Sequence, residues 1–469
     1  MFHPLGRLRV DWLPTMARVV LAVATMIMLS SSDDPDRHGL HLAWGGEPRD
    51  ERVLKRPGID KRAQAKIDAA IERGAAFLRG SQRQDGAFCG GDCDYQDPLS
   101  AEFLGQTLLC ALALQKVGGE ANADSVERAA GWCFDSGGPR SRRIERYVYA
   151  AGVGLTLACG LPTSSYAGVR TRLVNALVAG QDRATGWWGY DTPGGDHDFA
   201  YAVRNPGSTA RPTGFDAFEP NLSTTQYAVM GLRAASRVGV EVPRRTWSRH
   251  IDAMIATQTR SGSWPYRPTD TGESARVFDR VGYCCGTFMG LVSLITSAEL
   301  ELSGSRPTPG REAAVADATA RARAALWRDG RMILRDPWVF DPDAVDRDAV
   351  ARSRESAASP GSGAFYTLLA LERSCIFLGV ERLAAPSAGR IPKGEQAQLD
   401  AEGMWYEVGS RWLVQRQSES GGWAARPSAA GQSNLLDSAM ALLFLLGSLD
   451  DAATVTPGAA SVSGGPDQK

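Results

Sequence analysis

Apolar residues recur at helical spacing along most of the chain, in two alternating kinds of segment. Ile67, Ile71, Ala75 and Leu78 fall on one face of a stretch that is otherwise polar, and Ile251, Met254 and Ile255 do the same further on. A repeat of three to four residues predicts an amphipathic helix with one buried stripe. Each such segment is followed, after a loop, by a more apolar one: Ala101 to Leu114, Ser223 to Ala235, Gly282 to Ser297 and Leu435 to Leu446. Their small residues (Ala111, Ala228, Gly231, Gly286, Gly290, Ala439) and near absence of charge predict helices buried on all sides. An amphipathic helix followed by an apolar one predicts an outer and an inner layer.

The loops joining the two kinds of segment repeat one pattern, and internal repetition constrains the fold more than any single motif. Gln258 is followed by Gly262 and Trp264, and Gln417 by Gly421 and Trp423, both reading Gln-x-x-x-Gly-x-Trp. Gln82 with Gly86 and Phe88 replaces the Trp by Phe, and Gln181 with Gly186 and Trp187-Trp188 carries one extra residue. The two long gaps between these copies each hold one further hairpin: Ser125 to Phe134 with Tyr147 to Cys159, and Arg311 to Trp327 with Phe365 to Leu378. About six hairpins are enough to close a ring, so the expected architecture is all-α, a single α/α toroid over residues 60–450.

Composition adds a compartment and removes one class of partner. Lys and Arg total 52 against 53 Asp and Glu, a net charge of -1 that lacks the basic excess of a nucleic-acid binder. Arg7, Arg9 and Arg18 precede an apolar run from Val19 to Leu29 and then Ser30, Ser31 and Ser32. That order predicts a signal peptide over residues 1–32, an exported protein, and membrane contact that is transient and confined to this segment. The run is about half of the roughly 20 residues a spanning helix needs, although an uncleaved N-terminal membrane helix is the alternative. Residues 33–59 and 451–469 are read as a disordered lead-in and tail. Among the eight cysteines, Cys110, Cys159 and Cys375 lie in apolar runs and are expected as core thiols. Cys89 and Cys93 are the candidate bridged or reactive pair.

The recurring Gln-x-x-x-Gly-x-Trp turn resembles the repeat of squalene and oxidosqualene cyclases and of protein prenyltransferase β subunits, over roughly residues 60 to 450. The resemblance implies the toroid, and implies that Gln82, Gln258, Trp264, Gln417 and Trp423 are structural. It weakens at the chemistry. The Asp-x-Asp-Asp acid of squalene-hopene cyclases is missing, and the nearest acidic cluster is Asp92, Asp94 and Asp97. These could serve as a general acid, or simply be a solvated loop. The Asp, Cys and His zinc site of prenyltransferases is not matched either, since His197 and His250 have no suitable Cys beside them, so no metal and no cofactor are expected.

The axial cavity of a toroid and its mouth are the natural site. Glu372 and Arg373 interrupt an apolar inner segment, where charge is costly unless paired. They are candidates for substrate binding or for fixing the ring. Asp437 and Asp279 stand near the starts of inner segments, where a catalytic acid and a helix-capping residue look alike. The stretch from Gly186 to Phe218 is rich in aromatics and acids, and Trp188, His197 and Tyr201 are its binding candidates. A second stretch, Asp329 to Gly363, reads as a charged surface excursion. The expected function is a binding or scaffold module for an apolar small molecule or another exported protein. The alternatives are a cyclase-like lyase or isomerase using Asp92, Asp94, Asp97 or Asp437 as acid, and a polysaccharide-acting enzyme.

Overall fold

The computed structural model describes residues 59–88, 101–135, 138–192, 220–268, 285–302, 310–335, 363–380, 383, 404–424 and 434–447. All belong to one compact unit, Glu47–Lys469. The amphipathic segments become the outer helices α1 (Lys61–Gly80), α3 (Glu120–Phe134), α6 (Thr163–Gly180), α8 (Arg244–Thr257), α10 (Arg311–Arg335) and α12 (Trp405–Arg416). The apolar segments become the inner helices α2 (Ala101–Val117), α5 (Val148–Cys159), α7 (Leu222–Arg237), α9 (Cys285–Leu302), α11 (Gly363–Leu378) and α13 (Leu435–Leu446). A short helix, α4 (Pro139–Ile144), lies between α3 and α5.

The inner helices pack in chain order, α2 on α5, α5 on α7, α7 on α9, α9 on α11 and α11 on α13, and α13 returns to α2. The ring is therefore closed, and the all-α toroid expected from the repeats is the observed fold. Outer helices settle over the grooves between inner ones: α1 against α13 and α2, α6 against α5 and α7, α10 against α9 and α11, α12 against α11 and α13. Their buried stripes are those the spacing predicts, Ile67, Ile71, Ala75 and Leu78 on α1 and Ile251 and Met254 on α8. Asp60 caps α1 by accepting from Ala63 N at 2.7 Å, and Asn221 caps α7 by accepting from Thr224 N at 3.0 Å.

Small residues let the inner helices approach closely. A Cβ on Gly231 of α7 would stand 2.7 Å from the carbonyl oxygen of Gly152 on α5, and one on Gly152 would stand 2.4 Å from that of Tyr227. Cys110, Cys133, Cys159 and Cys375 are free and buried, and burial pushes their thiols up, Cys159 to about 12. They are inert packing groups. Cys89 and Cys93 lie outside the described residues.

The structure departs from the sequence reading after Trp327. Helix α10 runs on to Arg335 rather than giving way to a surface excursion at Asp329. Asp329 is buried because Thr287 Oγ1 of α9 donates to it at 2.6 Å and Arg328 Nε pairs with it at 2.7 Å. A charge that looks like a loop residue in sequence is a helix-to-helix tie.

Candidate functional site

The turns that set the positions of the inner helices share one hydrogen-bond scheme. In each, the Gln side-chain amide donates twice, to the carbonyl of its own turn Gly and to a carbonyl on the next outer helix. The second acceptors are Ser125 for Gln82 (2.8 Å), Thr246 for Gln181 (3.0 Å), Ala318 for Gln258 (2.8 Å) and Ala70 for Gln417 (2.8 Å). Three residues beyond each acceptor an arginine donates back to the Gln oxygen: Arg128 to Gln82 at 2.5 Å, Arg249 to Gln181 at 2.9 Å, Arg321 to Gln258 at 2.6 Å, and Arg73 to Gln417. The turn Gly is required on two counts. At Gly262 φ is +87°, and an added Cβ would lie 2.2 Å from the Arg321 carbonyl oxygen. The indole N–H of Trp188, Trp264 and Trp423 donates to the end of the preceding outer helix, at Leu177, Met254 and Leu413, at 2.6, 2.7 and 2.9 Å. Each turn thus locks one hairpin to the next, and the copy at Gln417 locks the last to the first.

Trp188 belongs to this scheme. It is fully buried, its backbone N–H donates to Thr225 Oγ1 at 3.0 Å, and its ring meets His250 edge-on. His250, on α8, is also buried, with Nδ1 3.1 Å from the Gly186 carbonyl, so that nitrogen carries the proton. Burial lowers its pKa to about 4. Among the described residues no group of three His, Cys, Asp or Glu could hold a metal ion.

Inner helices α5, α7 and α11 meet through their starts: Ser223 of α7 is hydrogen-bonded to Tyr149 of α5 and to Tyr366 of α11. Their first turns therefore gather at one end of the ring, and a cluster of tyrosines occupies it. Tyr227 of α7 sits with its ring centroid 4.9 Å from that of Tyr149 on α5 and stacks on Tyr366 of α11 at 6.3 Å. Tyr190, in the loop after α6, is 6.0 Å from Tyr149, and its hydroxyl is 3.0 Å from that of Tyr266. Ser223 lies between Tyr149 and Tyr366, 2.6 Å from the latter, and Tyr366 donates to Met289 Sδ at 3.0 Å. One proton per hydroxyl then orders the chain as Tyr149 to Ser223 to Tyr366 to Met289. Tyr149, Tyr190, Tyr266 and Tyr366 are half-buried, whereas Tyr227 is buried.

Arg373 adds a charge to this cluster. It lies seven residues after Tyr366, on the same face of α11, and its guanidinium stands 5.3 Å from the Tyr227 ring centroid. Its neighbour Glu372 faces elsewhere, near the C-terminal end of α13, where a Cβ on Gly447 would lie 4.0 Å from Glu372 Oε1. The two charges that look like a pair in sequence therefore serve different surroundings. Asp437 is buried in the first turn of α13. The cap of that helix is Asn434, which accepts from Leu436 N at 2.8 Å and Asp437 N at 3.1 Å. Asp92, Asp94, Asp97, His197, Tyr201 and Asp279 lie outside the described residues. The sequence reading missed Tyr149, Tyr227, Tyr366 and Ser223; their one signal is a hydroxyl-bearing residue near the start of several inner segments.

Fold and site together define an all-α toroid with an aromatic ring end. Several solved structures of the type II terpene cyclase MstE from Scytonema are similar to this chain. One variant, bound to merosterolic acid A as product, is 11% identical over 83% of this chain and 99% of its own, with a TM-score of 0.44. Another, bound to geranylgeranyl dihydroxybenzoate as substrate, is 12% identical over 82% of this chain and 98% of its own, with a TM-score of 0.45. No family model and no curated protein matches the sequence.

Proposed function

We propose that the chain is an exported, non-catalytic binding module whose site is the tyrosine-lined end of the ring, and that its ligand is a largely apolar small molecule. The observation that carries this reading is the cluster of Tyr149, Tyr190, Tyr227 and Tyr366, contributed by separate helices and a loop and mostly half-buried. Phenol rings offer an apolar face and a polar edge, the usual lining of a small-molecule site.

Acid-initiated cyclisation of an isoprenoid is the second reading, and the buried carboxylate of Asp437 favours it. The charge at the tyrosine cluster is a guanidinium. A carbocation formed beside it would be repelled, so binding is the better account.

The test measures an apolar fluorescent probe, N-phenylnaphthylamine, against the purified protein. Tyr366→Ala and Tyr227→Ala should each weaken binding by about tenfold, from lost ring area and stacking. A substitution of exposed Glu419 should leave it unchanged. Probe affinity indifferent to both tyrosines would sink the reading. Incubation with an acyclic polyprenol decides the alternative: a cyclic product that Asp437→Asn abolishes would establish the enzyme in its place.

A further inference from the structure

Arg373 is almost completely buried, and its Nε has no hydrogen-bond partner. Its described contacts are with Tyr227, whose ring it faces and with whose hydroxyl it hydrogen-bonds, a phenol that burial keeps protonated and therefore neutral. Its sequence neighbour Glu372 faces the end of α13. An isolated buried cation is costly, and such groups are normally paired. Uncharged hydrogen-bonding groups lie on α7, the helix that carries Tyr227, and on α9, which packs against α11. The side-chain amide of Gln226, one turn from Ser223 on α7, is fully buried with neither N nor O partnered. The hydroxyl of Ser293, one turn from Met289 on α9, is in the same condition. A buried guanidinium with an unpartnered Nε, beside a collar of tyrosines, is the composition of a site for a single anionic group on an apolar body.

We propose that the ligand of the ring is an anionic amphiphile, with a carboxylate or phosphate head taken by Arg373 and an apolar body against the tyrosines. This rests on the reading of the ring end as a small-molecule site, and adds the charge of the ligand and the residue that selects it. The head enters first, past Tyr149 and Tyr366, and reaches the guanidinium deeper along α11. Fork geometry lets Arg373 accept either oxyanion in two parallel hydrogen bonds.

The experiment titrates the purified protein by calorimetry, below micelle formation, with dodecanoate, dodecyl phosphate, dodecanol and dodecyltrimethylammonium. Dodecanoate or dodecyl phosphate should bind at least about tenfold more tightly than dodecanol. Whichever anion binds more tightly identifies the head. Arg373→Gln should bring the anions down to the affinity of dodecanol while leaving dodecanol itself unchanged, and Arg373→Lys should restore part of the preference. Dodecanol equal to the anions, or dodecyltrimethylammonium above them, overturns the anion site and leaves the ring-end reading standing. Failure of every amphiphile to bind overturns both. The comparison on the unsubstituted protein decides the matter even where Arg373→Gln does not fold.

Discussion

His250 shows how a single buried group makes the ring sensitive to acid. Its imidazole is held neutral by burial, and its pKa falls from the ordinary 6.5 to about 4. In the unfolded chain the same side chain takes a proton near 6.5, so between pH 6.5 and 4 the unfolded state holds more protons. Stability therefore falls as pH drops through that window and is unaffected by this group above it. The full loss amounts to roughly 3 kcal/mol. Urea unfolding across this pH range should show that slope, and His250→Gln should flatten it whatever constant offset the substitution adds. An unchanged slope would mean that other groups control the acid limb. Arg373 is the contrasting case, a buried guanidinium whose Nε has no hydrogen-bond partner. Relief of its burial must come from a partner.

Between neighbouring hairpins, the working unit is the Gln turn with the arginine it meets. Gln258 supplies two donors to carbonyls of Gly262 and Ala318 and accepts from Arg321. Gln258→Ala should cost about 2 to 4 kcal/mol by leaving those carbonyls short of a donor. Arg321→Ala should cost less, because its guanidinium is partly exposed, and a double-mutant cycle should return a coupling near 1 kcal/mol. A coupling of zero would reduce the pair to proximity. Gly262→Ala should cost roughly 3 kcal/mol, from the positive φ and the Arg321 carbonyl together. The glutamine, glycine and tryptophan of these turns were legible in the sequence because they recur within a few residues of one another, and the hairpin order followed from them. The arginines were not legible, since each lies in the next hairpin and nothing local distinguishes Arg321 from other arginines on a polar helix face. The site was hidden for a similar reason. Tyr149, Tyr227 and Tyr366 sit inside apolar helical runs where an aromatic reads as core, and only packing the helices side by side shows that they meet. Loop aromatics drew attention instead, and of these Trp188 proves to hold the turn. Arg373 was visible as a charge in an apolar run, but its separation from Glu372 is a matter of helix phase and needed the neighbouring helices.

For the whole molecule the decisive feature is closure. An open stack of hairpins would leave its first and last members with one neighbour each, and loss of an end contact would fray that end alone. Here Gln417 donates to Ala70 and accepts from Arg73, while α13 packs on α2, so the seam between last and first hairpins has the same bonds as an internal one. A closed ring has no weakest end to unfold first, and the seams that carry a Gln turn should have equal thermodynamic weight. Gln417→Ala should therefore lower the urea midpoint by the same amount as Gln258→Ala, with the slope of the transition unchanged in both, because the same surface is exposed in one cooperative step. If the ring is held chiefly by its inner layer, Gln417→Ala would instead release α1 locally, with a shallower slope and early hydrogen exchange confined to Lys61–Gly80. The comparison bears on ligand binding as well, since a site assembled from α5, α7, α9 and α11 keeps its geometry only while the ring that spaces those helices stays shut.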